Sequence, residues 1–217
     1  MGTTWSFSLG IITYVESGEA LHRPCVIVVP SSCATQMSNE INEYFADGTV
    51  PHLVLTSGYA SPFNLDRYKV VITMYDYVVN EEVRLRKFKD DMDSSRKGEF
   101  VEAPKNPNLT FFSGFFGAEL RPLVGGMLVL DEAHQLKNPA TERCLSLTRL
   151  RKLFHTCIMA TGTPFDNTWR DAFHLINLLV ISHSAHWKRR KPGQEEYYLM
   201  LSRGRETQYA HIRRRLY

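Results

Sequence analysis

Leu128-Val129-Leu130-Asp131-Glu132-Ala133-His134 decides the fold of this chain. Three apolar residues run straight into two carboxylates, a small residue and a histidine. A parallel strand covered on both faces reads as an unbroken apolar run, and α/β sheets bind ligands beyond the carboxyl ends of such strands. The stretch therefore predicts a buried strand that delivers acids to a nucleotide site. A second apolar run, His155 to Ala160, ends in Thr161-Gly162-Thr163-Pro164. Two strands ending in polar clusters predict one shared crevice above a sheet.

Working outward, the run Cys25–Val29 is continuous, apolar and rich in β-branched residues, which predicts another buried strand. Pro30-Ser31-Ser32 ends it. A helix is expected from Ala34 to Phe45, with Met37, Ile41 and Phe45 on one face. Short strands are expected at His52–Leu55 and Lys69–Thr73, the second followed by a helix from Tyr75 to about Lys87. Residues 88–108 hold Lys89, Asp90, Asp91, Asp93, Arg96, Lys97, Pro104, Asn106 and Pro107, and read as a polar, breaker-rich loop. Helices are also expected at Thr4–Glu16 (Trp5, Leu9 and Ile12 forming its stripe) and at Ala140–Leu153. A further one at Thr168–Ile181 would have Trp169, Ala172, Phe173, Ile176, Leu179 and Val180 on one face. Strand-then-helix order predicts an α/β fold: a mostly parallel sheet with helices on both faces. From Ser182 the chain turns basic: one domain is expected over 1–181, with 182–217 as a basic, helical extension.

Composition narrows the class. The chain has 217 residues, 43% of them hydrophobic, which suits one α/β domain with a short extension. The net charge of +3 neither requires nor excludes a polyanionic partner. Cys25, Cys33, Cys144 and Cys157 lack metal-ligand spacing, and a reducing compartment, cytosol or nucleus, is expected. No apolar run reaches the roughly 18 residues of a membrane span, so no membrane partner is expected. The N-terminus does not read as a secretory signal.

Asp131-Glu132-Ala133-His134 with Leu136-Lys137-Asn138, and Thr161-Gly162-Thr163-Pro164-Phe165-Asp166-Asn167 after it, resembles the Swi/Snf-type ATPases of helicase superfamily two. Their motors have two RecA-like lobes, and the resemblance covers residues 1–181, nearly one lobe. It implies a RecA-like sheet and ATP with Mg²⁺ as cofactors. It also implies double-stranded DNA or chromatin and a second RecA-like lobe as partners, and a nuclear location. By the same resemblance Asp131 would hold Mg²⁺ through a water. Glu132 would orient or deprotonate the attacking water, and His134 would link the nucleotide site to the moving parts. Thr161, Gly162, Thr163 and Asn167 would couple hydrolysis to lobe closure. A solvated acidic turn and a plain Gly-Pro turn are the structural alternatives for these two segments.

Two more segments match. Val28-Val29-Pro30-Ser31-Ser32 with Gln36 resembles motif Ia, and Val71-Ile72-Thr73-Met74-Tyr75-Asp76 resembles motif Ib. Both imply DNA-backbone contacts, through Pro30, Ser31, Ser32 and Thr73. Ser31, Ser32 and Thr73 would equally make good helix N-caps, and the two readings are compatible. The family's phosphate loop reads roughly Met-Gly-x-Gly-Lys-Thr, whereas this chain begins Met1-Gly2-Thr3-Thr4-Trp5. Gly2, Thr3 and Thr4 would be what remains of the cofactor-binding loop. The first lysine is Lys69, so the loop's lysine and its preceding strand are expected to be lacking. The expectation is thus an ATP-binding lobe of a Swi/Snf-like translocase or chromatin remodeller, a fragment inactive alone. The alternative is a non-catalytic DNA- or protein-binding module that keeps the fold.

Overall fold

Cys-Val-Ile-Val-Val, residues Cys25–Val29, forms strand β1, and all five residues are fully buried. A strand buried on both faces belongs in the middle of a sheet, and β1 pairs in parallel with two neighbours. These are β3 (Val70–Met74) on one side and β4 (Gly125–Leu130) on the other. Strand β2 (His52–Leu55) pairs beyond β3, and β5 (Phe154–Met159) beyond β4, again in parallel. The order across the sheet is β2-β3-β1-β4-β5. The computed structural model describes residues 10, 14, 24–46, 48–58, 60, 65, 67–98, 105, 107–112, 125–163 and 169–180. All lie within the unit Met1–Ser182; the basic segment 182–217 is outside them.

Side chains along β1 alternate between two cores. Val26 and Val28 join Val71, Leu128 and Leu130 in one cluster, with side chains from helices α2 (Tyr75–Arg96), α3 (Glu142–Arg151) and α4 (Trp169–Val180). Cys25, Ile27 and Val29 join Val70, Ile72, Met127 and Val129 in the other, with Met37 and Ile41 of helix α1 (Ala34–Tyr44) and with Tyr14. Helices therefore cover both faces, as a parallel sheet of unbroken apolar strands requires. A Cβ at Gly126 would come within 1.7 Å of the Tyr14 hydroxyl, so β4 needs glycine where Tyr14 crosses it.

Several expectations shift. The helix expected to stop near Lys87 runs on to Arg96, through charged residues read as loop. Its true stop is Gly98, in the left-handed region at φ 78°, and the prolines lie beyond it. Helix α3 begins two residues later than expected because Thr141 caps it, accepting from the Cys144 N–H at 3.2 Å. Helix α4 buries Ala172, Leu175 and Leu178, while Ile176 and Leu179 are exposed. Of the face expected from periodicity Ala172 is thus buried, and the buried side turns toward Leu175 and Leu178. Of the expected Thr4–Glu16 helix, Gly10 and Tyr14 are described, both helical.

Glu81 of α2 is buried and accepts backbone N–H bonds from Thr110, from Phe111 at 2.9 Å and from Phe112 at 3.3 Å. Successive N–H groups converging on one carboxylate form an anion-holding nest. Burial pushes the Glu81 carboxyl pKa up, and these N–H donors oppose that rise. Tyr77 holds the same segment through Thr110 Oγ1 at 2.9 Å.

Candidate functional site

Parallel strands all end on one side of the sheet, so the polar clusters that follow them meet there. Beyond β1 the chain passes to one side of the sheet, to β2 and β3; beyond β4 it passes to the other side, to β5. The gap between the ends of β1 and β4 is thus the topological switch point, where open α/β sheets bind ligands. Pro30-Ser31-Ser32 lies on one side of that gap and Asp131-Glu132 on the other.

The acid turn is heavily constrained. Leu130 pairs with Val28 and with Met159. The Asp131 N–H then donates to the Val28 carbonyl at 2.9 Å, and the Ala133 N–H to the Ala160 carbonyl at 2.8 Å. The Glu132 N–H donates to Asp131 Oδ1 at 3.0 Å. The Tyr75 hydroxyl donates to the Asp131 carbonyl at 2.6 Å. Between these ties, Glu132 takes φ 50° and ψ 46°; among the described residues no other non-glycine residue has positive φ. A β-carbon in that region is strained by about 1–2 kcal/mol. His134 Nδ1 lies 2.9 Å from Glu132 Oε2, and both side chains are partly exposed.

Electrostatics single out Asp131. Its half-buried carboxyl has its pKa pushed up, first by burial, and further by the carboxylates of Glu132 and Glu40; the Glu132 N–H and His134 work against this. Burial chiefly, with Asp131 next, pushes the Tyr75 phenol pKa up as well, so it is a hydroxyl donor at any ordinary pH.

The Leu136-Lys137-Asn138 stretch has a local role too. Leu136 is buried, and Asn138 Oδ1 accepts the Ala140 N–H at 3.0 Å, shaping the turn into α3.

Thr161 lies two residues past the end of β5, across from the acid turn. Its hydroxyl accepts the Thr163 N–H at 3.2 Å. Gly162 and Thr163 are exposed, and a Cβ at Gly162 would meet nothing within 4 Å. Asn167, and the phosphate-loop residues Gly2, Thr3 and Thr4, lie outside the described residues.

Ser31 and Ser32 are exposed in a short 3-10 turn, and neither side chain caps a helix. Ser32 Oγ comes within 3.7 Å of Cys33 Sγ. Pro30 is only partly exposed, and its carbonyl accepts the Cys33 N–H at 2.9 Å. Thr73 departs from both expectations. It is fully buried, and its hydroxyl donates to the Leu55 carbonyl at 2.9 Å. A side chain spent on the neighbouring strand can neither touch a phosphate nor cap α2, whose N-cap is Met74.

Tyr75 and Arg143 are the residues that sequence reasoning missed. Arg143 Nη1 donates to Gln135 Oε1 at 2.6 Å and Nη2 to Asp76 Oδ1 at 2.8 Å, and its guanidinium lies 5.6 Å from the Tyr75 ring centroid. Tyr75 stood in a quoted motif without a role. Arg143 had no local signal, because its partners come from two distant segments.

Comparison with known proteins agrees with this geometry. An uncharacterized ATP-dependent helicase, YqhH, of Bacillus subtilis (strain 168) is 35% identical over 57 residues, which is 26% of this chain and 10% of that protein. The SWI2/SNF2 ATPase core of Sulfolobus solfataricus, solved in complex with dsDNA, superposes with a TM-score of 0.54 at 18% identity. The alignment covers 93% of this chain and 36% of that one. This second likeness shows a RecA-like α/β fold. The chain spans well under half the length of either protein. The SNF2-related domain matches residues 6–194, most of the sequence, and on that match the chain belongs to the SNF2-related, Snf2-type helicase-like family.

Proposed function

We propose that this chain is the ATP-binding lobe of a Snf2-type, DNA-dependent translocase, working with a second RecA-like lobe on duplex DNA. The observation that carries this reading is the meeting of Asp131-Glu132, Thr161-Gly162-Thr163 and Ser31-Ser32 at one end of the sheet, around its switch point. The donor chemistry fits Mg²⁺. Asp131, with Glu132 and Glu40 nearby, makes a carboxylate environment in which a divalent cation relieves repulsion. Among the described residues no group of three or more His, Cys, Asp and Glu could hold a metal by itself. That suits an ion held through one or two carboxylates, waters and phosphate oxygens.

Asp131 would hold Mg²⁺ through a water. Bound Mg²⁺–ATP supplies the phosphoryl group and the charge that neutralises its transfer. Glu132 would orient or deprotonate the attacking water, its carboxylate 2.9 Å from His134 Nδ1 and its backbone fixed by the strained turn. Thr161, Gly162, Thr163 and Asn167 would couple hydrolysis to closure on the second lobe. The exposed hydroxyls of Ser31 and Ser32, beside Pro30, would take DNA phosphate oxygens. The solved Sulfolobus core is itself a complex with dsDNA, which supports DNA as the partner. Chromatin as the form of that DNA, and the nucleus as the compartment, belong to the same proposal.

A titration of labelled ATP into the 217-residue chain, with and without Mg²⁺, tests this. Mg²⁺-dependent binding that disappears in Asp131→Asn, with the melting temperature kept, is the expected result. Binding indifferent to Mg²⁺ or to Asp131 would sink the assignment. A chain that binds duplex DNA and no nucleotide would instead be a non-catalytic module on the same fold.

A further inference from the structure

We propose that Tyr75 and Arg143 are positioning residues for the Asp131–Glu132 turn, a role that rests on reading this turn as the Mg²⁺–ATP site. The peptide joining Asp131 to Glu132 is held at both ends. Its oxygen accepts from the Tyr75 hydroxyl at 2.6 Å, and its nitrogen donates to Asp131 Oδ1 at 3.0 Å. The orientation of this one peptide plane sets φ of Glu132, which stands at 50°. A strained conformation persists only where its surroundings over-determine it. The bonds from Asp131 to Val28 and from Ala133 to Ala160 fix the two sides of the turn. Among the described residues, the Tyr75 hydroxyl is the donor that fixes the carbonyl between them.

Tyr75 is itself held. Its ring is 2% exposed, at the first residue of α2, and Arg143 lies over the ring. The guanidinium fork of Arg143 ties Asp76, next to Tyr75, to Gln135, in the 3-10 turn that follows Glu132. A planar fork suits such a two-point link; an ammonium does not reproduce it. One arginine and one phenol thus join the β3–α2 junction to both sides of the acid turn. A shift at that junction therefore passes directly into the peptide plane that aims Asp131 and Glu132.

The test compares the 217-residue chain with Tyr75→Phe and Arg143→Lys by residue-resolved amide hydrogen exchange, and by the Mg²⁺ dependence of labelled-ATP binding. Tyr75→Phe keeps the ring and removes the bond. Exchange at the Glu132 and Ala133 amides should quicken by roughly tenfold, the scale of one lost hydrogen bond, while the amides of Val26 to Val28 are unchanged. Arg143→Lys should give the same local pattern, more weakly. The Mg²⁺ concentration for half-maximal ATP binding should rise in both, with Mg²⁺-free affinity unchanged. Unaltered exchange at Glu132 and Ala133, or equal quickening across the turn and β1, would overturn the inference. A parent chain that binds no Mg²⁺–ATP defeats the functional reading, and the exchange measurement still decides whether these two residues set the turn.

Discussion

Two strand-to-helix junctions flank the switch point, and they are built in opposite ways. After β4, the turn through Asp131 and Glu132 commits its backbone groups to Val28, Ala160 and Tyr75, and holds one residue at φ 50°. After β1, Pro30 sits at an ordinary φ of −56°, and Ser31 and Ser32 stand exposed with hydroxyls that cap nothing. The difference follows from the work each would do. Groups that place an ion and a water must be fixed to a fraction of an ångström before the ligand arrives. Groups that touch a DNA backbone position a repeating, sequence-independent surface and can keep rotational freedom. The β3 junction sides with the closed one, because Thr73 is buried and bonded to Leu55.

The strongest way to break the contrast is to remove the floor of the closed turn. Leu130 is fully buried directly before Asp131. Leu130→Ala should lower unfolding free energy by about 2–5 kcal/mol; a loss below about 1 kcal/mol in denaturant titration would mean the turn is not seated on the core. Thr73→Val should cost about 1–2 kcal/mol by removing the buried hydroxyl's bond to the Leu55 carbonyl, with DNA affinity unchanged in a filter-binding assay. Weaker DNA binding at equal stability would put Thr73 back among the contact residues.

Glu132→Gly sharpens the contrast from the other side. Relief of the left-handed strain, about 1–2 kcal/mol, outweighs the entropic cost of glycine, about 0.5–1 kcal/mol. The variant should melt slightly higher while losing any hydrolysis measured with a second lobe present. A lower melting temperature would show that the conformation is not strained. The smallest effect belongs to the open junction. Ser31→Ala with Ser32→Ala should leave stability within about 0.5 kcal/mol and weaken duplex binding; unchanged DNA affinity would remove these serines from the proposed interface.

Strands were easier to read than helix ends. β1 and β2 match their expected bounds because each is a short, largely apolar run closed off by neighbouring turn residues. The end of α2 is hard to place from sequence because a charged stretch, Phe88 to Arg96, looks like loop when only its polarity is weighed. It contains no glycine or proline, and Arg96 pairs with Asp93 at 3.6 Å one turn back. The acids and the threonine turn were legible because they follow apolar strands. The place of Thr73 is not legible locally, because a hydroxyl at a strand end looks the same whether it points to solvent or to the next strand. Tyr75 and Arg143 could not be seen as a pair, since they are brought together only by the packing of α3 beside the start of α2.

By itself, the sequence determined the strand-and-helix alternation, the parallel sheet, and the acids at the end of β4, since hydrophobic continuity and local turn chemistry are properties of neighbouring residues. The tertiary structure alone decided the order β2-β3-β1-β4-β5, and with it which junctions face each other across the switch point. It also decided that Thr73 turns inward, that Glu132 is strained, and that Tyr75 holds the peptide responsible. Each of these depends on contacts between segments far apart in the chain, whose distances are set by the packing of the sheet and its helices.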